Sequence, residues 1–419
     1  MASIEKAYEL AGELYAELGV DTAAAIDGLR DISLSLPCWQ GDDLAGAESL
    51  GGCMSTSGMP VTGAYPGAAR DMDELRQDLA KVYSLIPGKH RLQVQMRYGD
   101  FGGQAVDRDE IEPAHFTSWV DWARSIAIKL DANASIEIHP RAEVATLSHP
   151  DKATRDFWIE HARRSRGVAA YFGREFGSAA VHSIWIPDGS KEYPFDSLAP
   201  RRRLEESLDQ IFSLELPAGE MLDSIEGKLF GIGSESYVVG SHEFYLGYAM
   251  ASGKMLTIDN GHYHPTESVA DKLSALSLFL DRFMLHLTRG IRWDSDHVPL
   301  LNDEVTSICM QLVRCGLLKR AHLALDFFDA GINRVGAYVV GTCSVLKALL
   351  LAMLEPSELL EKAEIAGDSF SRMALLEQAK TMPFGAVWEY YCETEGVPTG
   401  TALIEEILVY ERDVLNKRK

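Results

Sequence analysis

Arg292-Trp293-Asp294-Ser295-Asp296-His297 places two carboxylates one residue apart, shortly after the apolar run FMLHLT (283–288). Taken alone, such a pair reads as a solvated turn. Metal-type side chains recur, however, at the ends of neighbouring apolar runs. Glu226 and Lys228 lie in SIEGKLFGI, and Asp259 leads into NGHYHPTE with His262 and His264. His286 lies within FMLHLT, and Asp326 lies in AHLALDFF with Asp329 just beyond. Each has a plainer reading: an Asp after a strand caps a helix or closes a turn, and His286 is a hydrogen-bonded core histidine. Lys228 suits either a substrate oxygen or an ion pair with Glu226. Four consecutive run ends carrying such residues argue for a shared site.

If those ends converge, Glu226, Asp259, Asp294, Asp296 and Asp326 crowd one small cavity. A like-charge pair about 4 Å apart costs about 4 kcal/mol at an effective dielectric of 20. Such a set persists only with shifted pKa values or with cations between its members. Two divalent ions nearly balance it, and mixed carboxylate and imidazole ligation suits Mn²⁺, Mg²⁺ or Co²⁺. Trp39, in CWQGDD, offers an apolar wall to one face of a sugar ring or chain.

These residues need a scaffold that gathers strand ends, and the chain supplies one. Eight β-like runs (32–39, 91–98, 126–133, 180–187, 224–232, 255–261, 283–288 and 321–328) alternate with helical patterns. Several are apolar enough to be buried on both faces, as parallel strands are. Between them, Met72, Leu75, Leu79, Val82 and Ile86 form one helical stripe. Thr266 is placed to cap a further helix, and Gly316 to end the one over 302–316. The alternation predicts an α/β fold, a (β/α)₈ TIM barrel over residues 1–330 with N-terminal helices. Active sites of such barrels sit at the C-terminal strand ends, where the metal-type residues fall. Residues 331–419 read as the last barrel helix plus a C-terminal helical extension, packed on the barrel flank or onto a neighbouring subunit.

The 419 residues carry 40 basic and 62 acidic side chains, a formal charge of −22. That field argues against nucleic acid and membrane partners, and the short Arg201–Arg203 run reads as a solvated helix start. The opening MASIEKAYELAGELYAEL reads as an amphipathic helix rather than a signal peptide. The six cysteines show no CxxC pairing and are expected as reduced thiols of a cytosolic protein.

The motifs SLPCWQGDD, YSLIPG, LSHPDKATRDFWIEH, IWIPDG, KLFGIGSESYVVGSHEFYLGYA, DNGHYHPTE, RWDSDHV and LDFFDAGINRVGAYVVGT resemble the bacterial L-rhamnose isomerase family over essentially the full chain. That resemblance implies a barrel of the xylose-isomerase type, a cytoplasmic homotetramer and a Mn²⁺-dependent aldose–ketose isomerase. The implied reaction interconverts L-rhamnose and L-rhamnulose in rhamnose catabolism, by hydrogen transfer between C1 and C2. Carried over residue by residue, Glu226, Asp259, His286 and Asp326 resemble a structural metal site. His262, Asp294 and Asp296 resemble a second, catalytic site, with Asp259 bridging, giving two ions per subunit. Asp294 and Asp326 are the implied catalytic carboxylates that handle the hydroxyl proton. Trp39 and Lys228 match substrate-contacting positions, and Arg292 and Trp293 serve as wall or support for their loop.

The sequence departs from the family's pattern in three places. Gln95 in LQVQM stands where the family usually shows a histidine, and the family's Asn-Pro-rich run appears as DANASIEIHP (131–140). Ser183 stands where an asparagine often precedes IWIPDG. All three are expected near the sugar-facing rim, so Gln95 is taken as a substrate-binding position that alters sugar recognition. The departures leave open an isomerase or epimerase of a rarer sugar, such as D-allulose or D-allose, and a non-catalytic sugar-binding homologue.

Overall fold

The computed structural model describes residues 2–41, 63–228, 236–291 and 295–418. Eight parallel strands close into a barrel. They are β1 (Leu34–Pro37), β2 (Arg91–Gln95), β3 (Lys129–Asn133), β4 (Ala180–Ile184), β5 (Met221–Glu226), β6 (Met255–Asp259), β7 (Phe283–Leu287) and β8 (Ala321–Leu325). The hydrogen-bonded order around the ring is β1-β8-β7-β6-β5-β4-β3-β2. Buried on both faces by the surrounding helices, these strands read as near-continuous apolar runs.

Each of the eight expected runs carries a strand, with shifted bounds. β1 stops at Pro37 and the chain turns through a short 3-10 segment, Cys38–Gly41, so Trp39 stands just past the strand. The Tyr338 hydroxyl holds that turn by donating to the Pro37 carbonyl at 2.6 Å. β3 begins at Lys129 rather than 126, because helix Thr117–Ser125 ends only at Ile126 and Ala127 takes a positive φ of 58°. A two-stranded antiparallel ribbon, Gly189–Ser190 with Tyr237–Val238, lies in the connections flanking β5.

Helix Met72–Tyr83 starts at Asp71, whose side chain accepts from the Glu74 N–H at 2.8 Å. Helix Asp303–Arg314 is capped by Asn302 and followed by Gly316 at φ 63°. Thr266 does not cap its helix. The helix runs Val269–Leu276, and its first N–H donates at 3.0 Å to Glu304 Oε1 from a neighbouring helix. The Arg201–Arg203 run is not simply solvated either. Arg201 lies 5.0 Å over the Tyr237 ring, and Arg203 donates to the Ser148 carbonyl at 2.7 Å.

The long apolar helix Arg334–Met353 is long and apolar enough to cross a membrane. Yet 78% of its apolar window is buried inside this fold, where it packs on β1 and neighbouring helices. Four helices follow: Ser357–Ile365, Ser369–Ala379, Phe384–Thr394 and Gly400–Asp413. The last two return to the N-terminal helices and the barrel flank. Tyr390 stacks on Tyr8 with centroids 3.9 Å apart, Arg30 pairs with Glu395, and Lys81 with Glu406. Arg418 meets the buried Asp78 at 2.6 Å.

Candidate metal centre

Strand register builds the centre. Asp259 and His286 are paired positions on adjacent β6 and β7. Glu226 is the last residue of β5, and Asp326 is the first beyond β8, its N–H donating to the Leu287 carbonyl at 3.2 Å. The β6 and β7 ends are locked together by a reciprocal pair. Asn260 Nδ2 donates to the Thr288 carbonyl, and the Thr288 N–H donates to Asn260 Oδ1. Glu226, Asp259, His286 and Asp326 each offer a ligand atom, all within 4.8 Å of one another. Three of the four are buried.

His286 Nδ1 faces three carboxylates at once: Asp326 Oδ2 at 3.3 Å, Glu226 Oε1 at 3.5 Å and Asp259 Oδ2 at 3.6 Å. Asp259 Oδ1 accepts from the Gly261 N–H at 2.6 Å. Its Oδ2, and both ring nitrogens of His286, have no hydrogen-bond partner among the described residues. Leaving such buried atoms unsatisfied costs about 1–3 kcal/mol each. A divalent cation among the four donors accounts for that arrangement, and the donor chemistry suits it.

The electrostatics agree. Burial pushes the Asp259 carboxyl up to about 6, opposed only in part by His262 and His286. Burial also acts upward on Glu226, but His286 and His262 outweigh it and hold Glu226 well below the usual carboxylate range. His286 is driven well above its ordinary value, because Glu226, Asp259 and Asp326 overcome its burial. The cavity wants positive charge.

His262 stands beside this group, its Nδ1 3.1 Å from Glu226 Oε1 and 3.3 Å from the Gly227 carbonyl. Gly227 gives His242 its room: a Cβ there would sit 3.0 Å from His242 Nδ1. His242 in turn contacts the His262 carbonyl at 2.9 Å and stacks on Tyr263. Asp296 faces the same cavity with a positive φ of 41°, its carbonyl accepting from the Phe328 N–H at 3.1 Å. Asp294, with Arg292 and Trp293, lies outside the described residues. His297 takes part in the loop itself, its Nδ1 2.9 Å from Ser295 Oγ. His264 is not brought to the site: it is exposed and paired with Thr266 Oγ1. Asp329 is a turn residue, its Oδ1 accepting from the Gly331 N–H.

A cavity opens over the cluster. Trp39, Gln95, Lys228, His262, Asp296, Glu226 and Asp326 all line it. Trp39 Nε1 donates to Asp326 Oδ1 at 3.0 Å. Lys228 is buried with its ammonium 4.7 Å over the Trp185 ring, a cation–π contact. Gln95 Oε1 accepts from Arg97 Nε at 2.7 Å. Ser183 lies deeper, its hydroxyl accepting from Gln93 Nε2 and Asn133 Nδ2. Asn133 and Glu137, from the 131–140 run expected near the sugar-facing rim, also line the cavity, as does Trp185, which sequence reasoning passed over. Glu137 had a signal: a lone acid in the apolar stretch after β3.

The model of the family described as L-rhamnose isomerase (RhaA) matches residues 2–418. The L-rhamnose isomerase of Rhodopirellula baltica is 51% identical over 417 residues, covering 99% of this chain and 97% of that protein. The L-rhamnose isomerase of Mannheimia succiniciproducens is 49% identical over 418 residues, covering all of both chains. Among solved structures, an L-ribulose 3-epimerase overlaps 74% of this chain and 98% of its own, with TM-score 0.46 and 12% identity.

Proposed function

The chain belongs to the L-rhamnose isomerase family, and from that premise we propose that it interconverts L-rhamnose and L-rhamnulose as a metal-dependent aldose–ketose isomerase. The observation that carries the reading is the buried quartet Glu226, Asp259, His286 and Asp326, with Asp259 Oδ2 and the His286 ring lacking other partners. In this reading those four would hold one Mn²⁺, and His262, Asp296 and Asp294, together with Asp259, would hold a second. Co²⁺ and Mg²⁺ are the natural substitutes. When bound, such ions polarise the adjacent C1 and C2 oxygens of the open-chain sugar as Lewis acids.

The chain's own residues do the rest. Trp39 and Trp185 give the cavity apolar walls that exclude water and seat the carbon chain. Lys228, held over Trp185, donates to a substrate oxygen. Asp326, one oxygen fixed by Trp39, or Asp294 would hold the water that takes and returns the hydroxyl proton as hydrogen moves between C1 and C2. A cytoplasmic homotetramer completes the proposal.

The departures at Gln95, Ser183 and 131–140 favour a second reading, an isomerase or epimerase of a rarer sugar. One experiment separates them. Metal-stripped protein is reloaded with Mn²⁺ and offered L-rhamnose, L-mannose and D-allulose, with products resolved as C1–C2 isomers or C3 epimers. Isomerisation in D₂O that leaves most transferred hydrogen unexchanged supports direct transfer. Near-complete deuterium incorporation points to an enediol route.

A further inference from the structure

His242 belongs to neither proposed metal set, yet its ring stands where the β5 and β6 ends meet. It opens helix His242–Ser252, whose N-cap Ser241 accepts at its hydroxyl from the Phe244 N–H. His242 Nε2 lies 2.9 Å from the His262 carbonyl, an acceptor, so it carries the hydrogen and donates. The ring stacks on Tyr263, with centroids 4.0 Å apart and planes 6° from parallel. The Lys272 ammonium lies 4.8 Å over that same tyrosine ring. One peptide unit, from the His262 carbonyl to Tyr263, is thus held at both ends by His242.

The β5 end closes a triangle with it. Gly227, between Glu226 and Lys228, comes so near that a Cβ would stand 3.0 Å from His242 Nδ1 and 3.1 Å from its Cα. The Gly227 carbonyl accepts from His262 Nδ1 at 3.3 Å. The Lys228 N–H donates at 3.4 Å to the Gly240 carbonyl, two residues ahead of His242. A histidine whose Nδ1–H is taken by a carbonyl presents Nε2 as its ligand nitrogen, and that outer partner fixes its ring. His262 sits on the loop between β6 and helix Val269–Leu276, so its ring is placed only as well as its backbone is. The buried quartet has a different support, since strand register places it.

We propose that His242 is a positioning residue for the second ion: its Nε2–H, donated to the His262 carbonyl, holds His262 in the orientation that ligates. The ion of the buried quartet does not depend on it. The proposal rests on the two-ion reading above.

The metal-stripped full-length chain is titrated with Mn²⁺ by calorimetry, and free ion is counted by electron paramagnetic resonance. The wild type is expected to take up two ions, and His262→Ala identifies the step that His262 serves. His242→Phe keeps an aromatic ring against Tyr263 and removes the donor. It is expected to weaken that step by about 10- to 100-fold while the other step stays within about threefold of wild type. His242→Gln, whose amide nitrogen can donate from near the same place, is expected to recover most of the loss. An unchanged step in a folded His242→Phe protein, or equal weakening of both steps, overturns the proposal. So does a His242→Gln protein that binds as weakly as His242→Phe. Should His242→Phe fail to fold, His242→Gln decides alone: a step within about threefold of wild type supports the donor, and a step weakened by about tenfold or more overturns it. A wild type that takes up no second ion sinks the two-ion reading and this proposal with it, an outcome distinct from two ions bound with both steps unchanged.

Discussion

Trp39 Nε1 donates to Asp326 Oδ1 at 3.0 Å, while Asp326 Oδ2 lies 3.3 Å from His286 Nδ1. The wall indole thus fixes the orientation of a carboxylate whose other oxygen faces the metal-type cluster. Orienting partners of this kind are commonly worth 10- to 100-fold in metal affinity. Trp39→Phe keeps an aromatic wall and removes the donor. Calorimetric titration of the metal-free variant with Mn²⁺ is expected to show affinity reduced by about tenfold or more. Affinity within twofold of wild type would show that the indole does not orient Asp326.

Removing the metal tests the quartet as a whole. Chelation is expected to abolish aldose–ketose conversion, and Mn²⁺ to restore it. Because the donors come from four strands, the ion binds only the folded chain. A hundredfold excess over Kd then adds about 2.7 kcal/mol to the unfolding free energy. Thermal melts of the stripped and reloaded protein read this directly. A melting temperature indifferent to Mn²⁺, together with unrestored activity, rules out the proposed centre.

Much of the scaffold is legible in the sequence because strands buried on both faces write themselves as unbroken apolar runs. Glu226, Asp259, His286 and Asp326 were found the same way, as polar residues where such runs end. What stayed less legible depends on distant partners. Glu137 sits in an Ile-Glu-Ile stretch that looks like a strand continuing. Its placement follows from positive φ at Ser135 and Ile138 and from Arg108, far upstream in the chain. Thr266 has the chemistry of a cap, yet Glu304 from the next helix satisfies the helix start instead. Local pattern ranks residue types and leaves such choices to tertiary contacts.

Gln95 is proposed to act on sugar recognition. It is buried at the end of β2, lines the cavity and accepts from Arg97. An imidazole there changes both the donor pattern and the shape of the far rim. Gln95→His is expected to shift the relative kcat/KM among L-rhamnose, L-mannose and D-allulose by about tenfold. Competition assays on sugar mixtures measure that ratio, and an unchanged ranking removes Gln95 from sugar recognition.

The helical extension carries a prediction about assembly. Ile365, Phe370 and Met373 are exposed, at 81%, 73% and 59%, around helices Ser357–Ile365 and Ser369–Ala379. Exposed apolar clusters of this kind mark protein contact surfaces. The intact chain is expected to be a tetramer by light scattering. Phe370→Asp combined with Met373→Asp is expected to yield a smaller species that keeps its secondary structure. A double variant still at the tetramer mass would place the subunit contacts elsewhere.

His90 sets a pH limit on stability. It is buried, accepts from the Leu34 N–H at Nδ1, and donates from Nε2 to the Pro87 carbonyl at 2.9 Å. It serves as a neutral imidazole, and burial lowers its pKa to about 4. In the unfolded chain it titrates at about 6.5, so between those values the unfolded state binds the extra proton. Its contribution is therefore complete above about pH 6.5 and is lost as the pH falls toward 4. Between pH 7 and 4.5 the loss amounts to about 2 kcal/mol. Urea melts at the two pH values measure it. A His90→Gln protein, which has no proton to gain there, is expected to show a pH-dependent loss smaller by that amount. An equal loss in both proteins would assign the acid sensitivity to other groups.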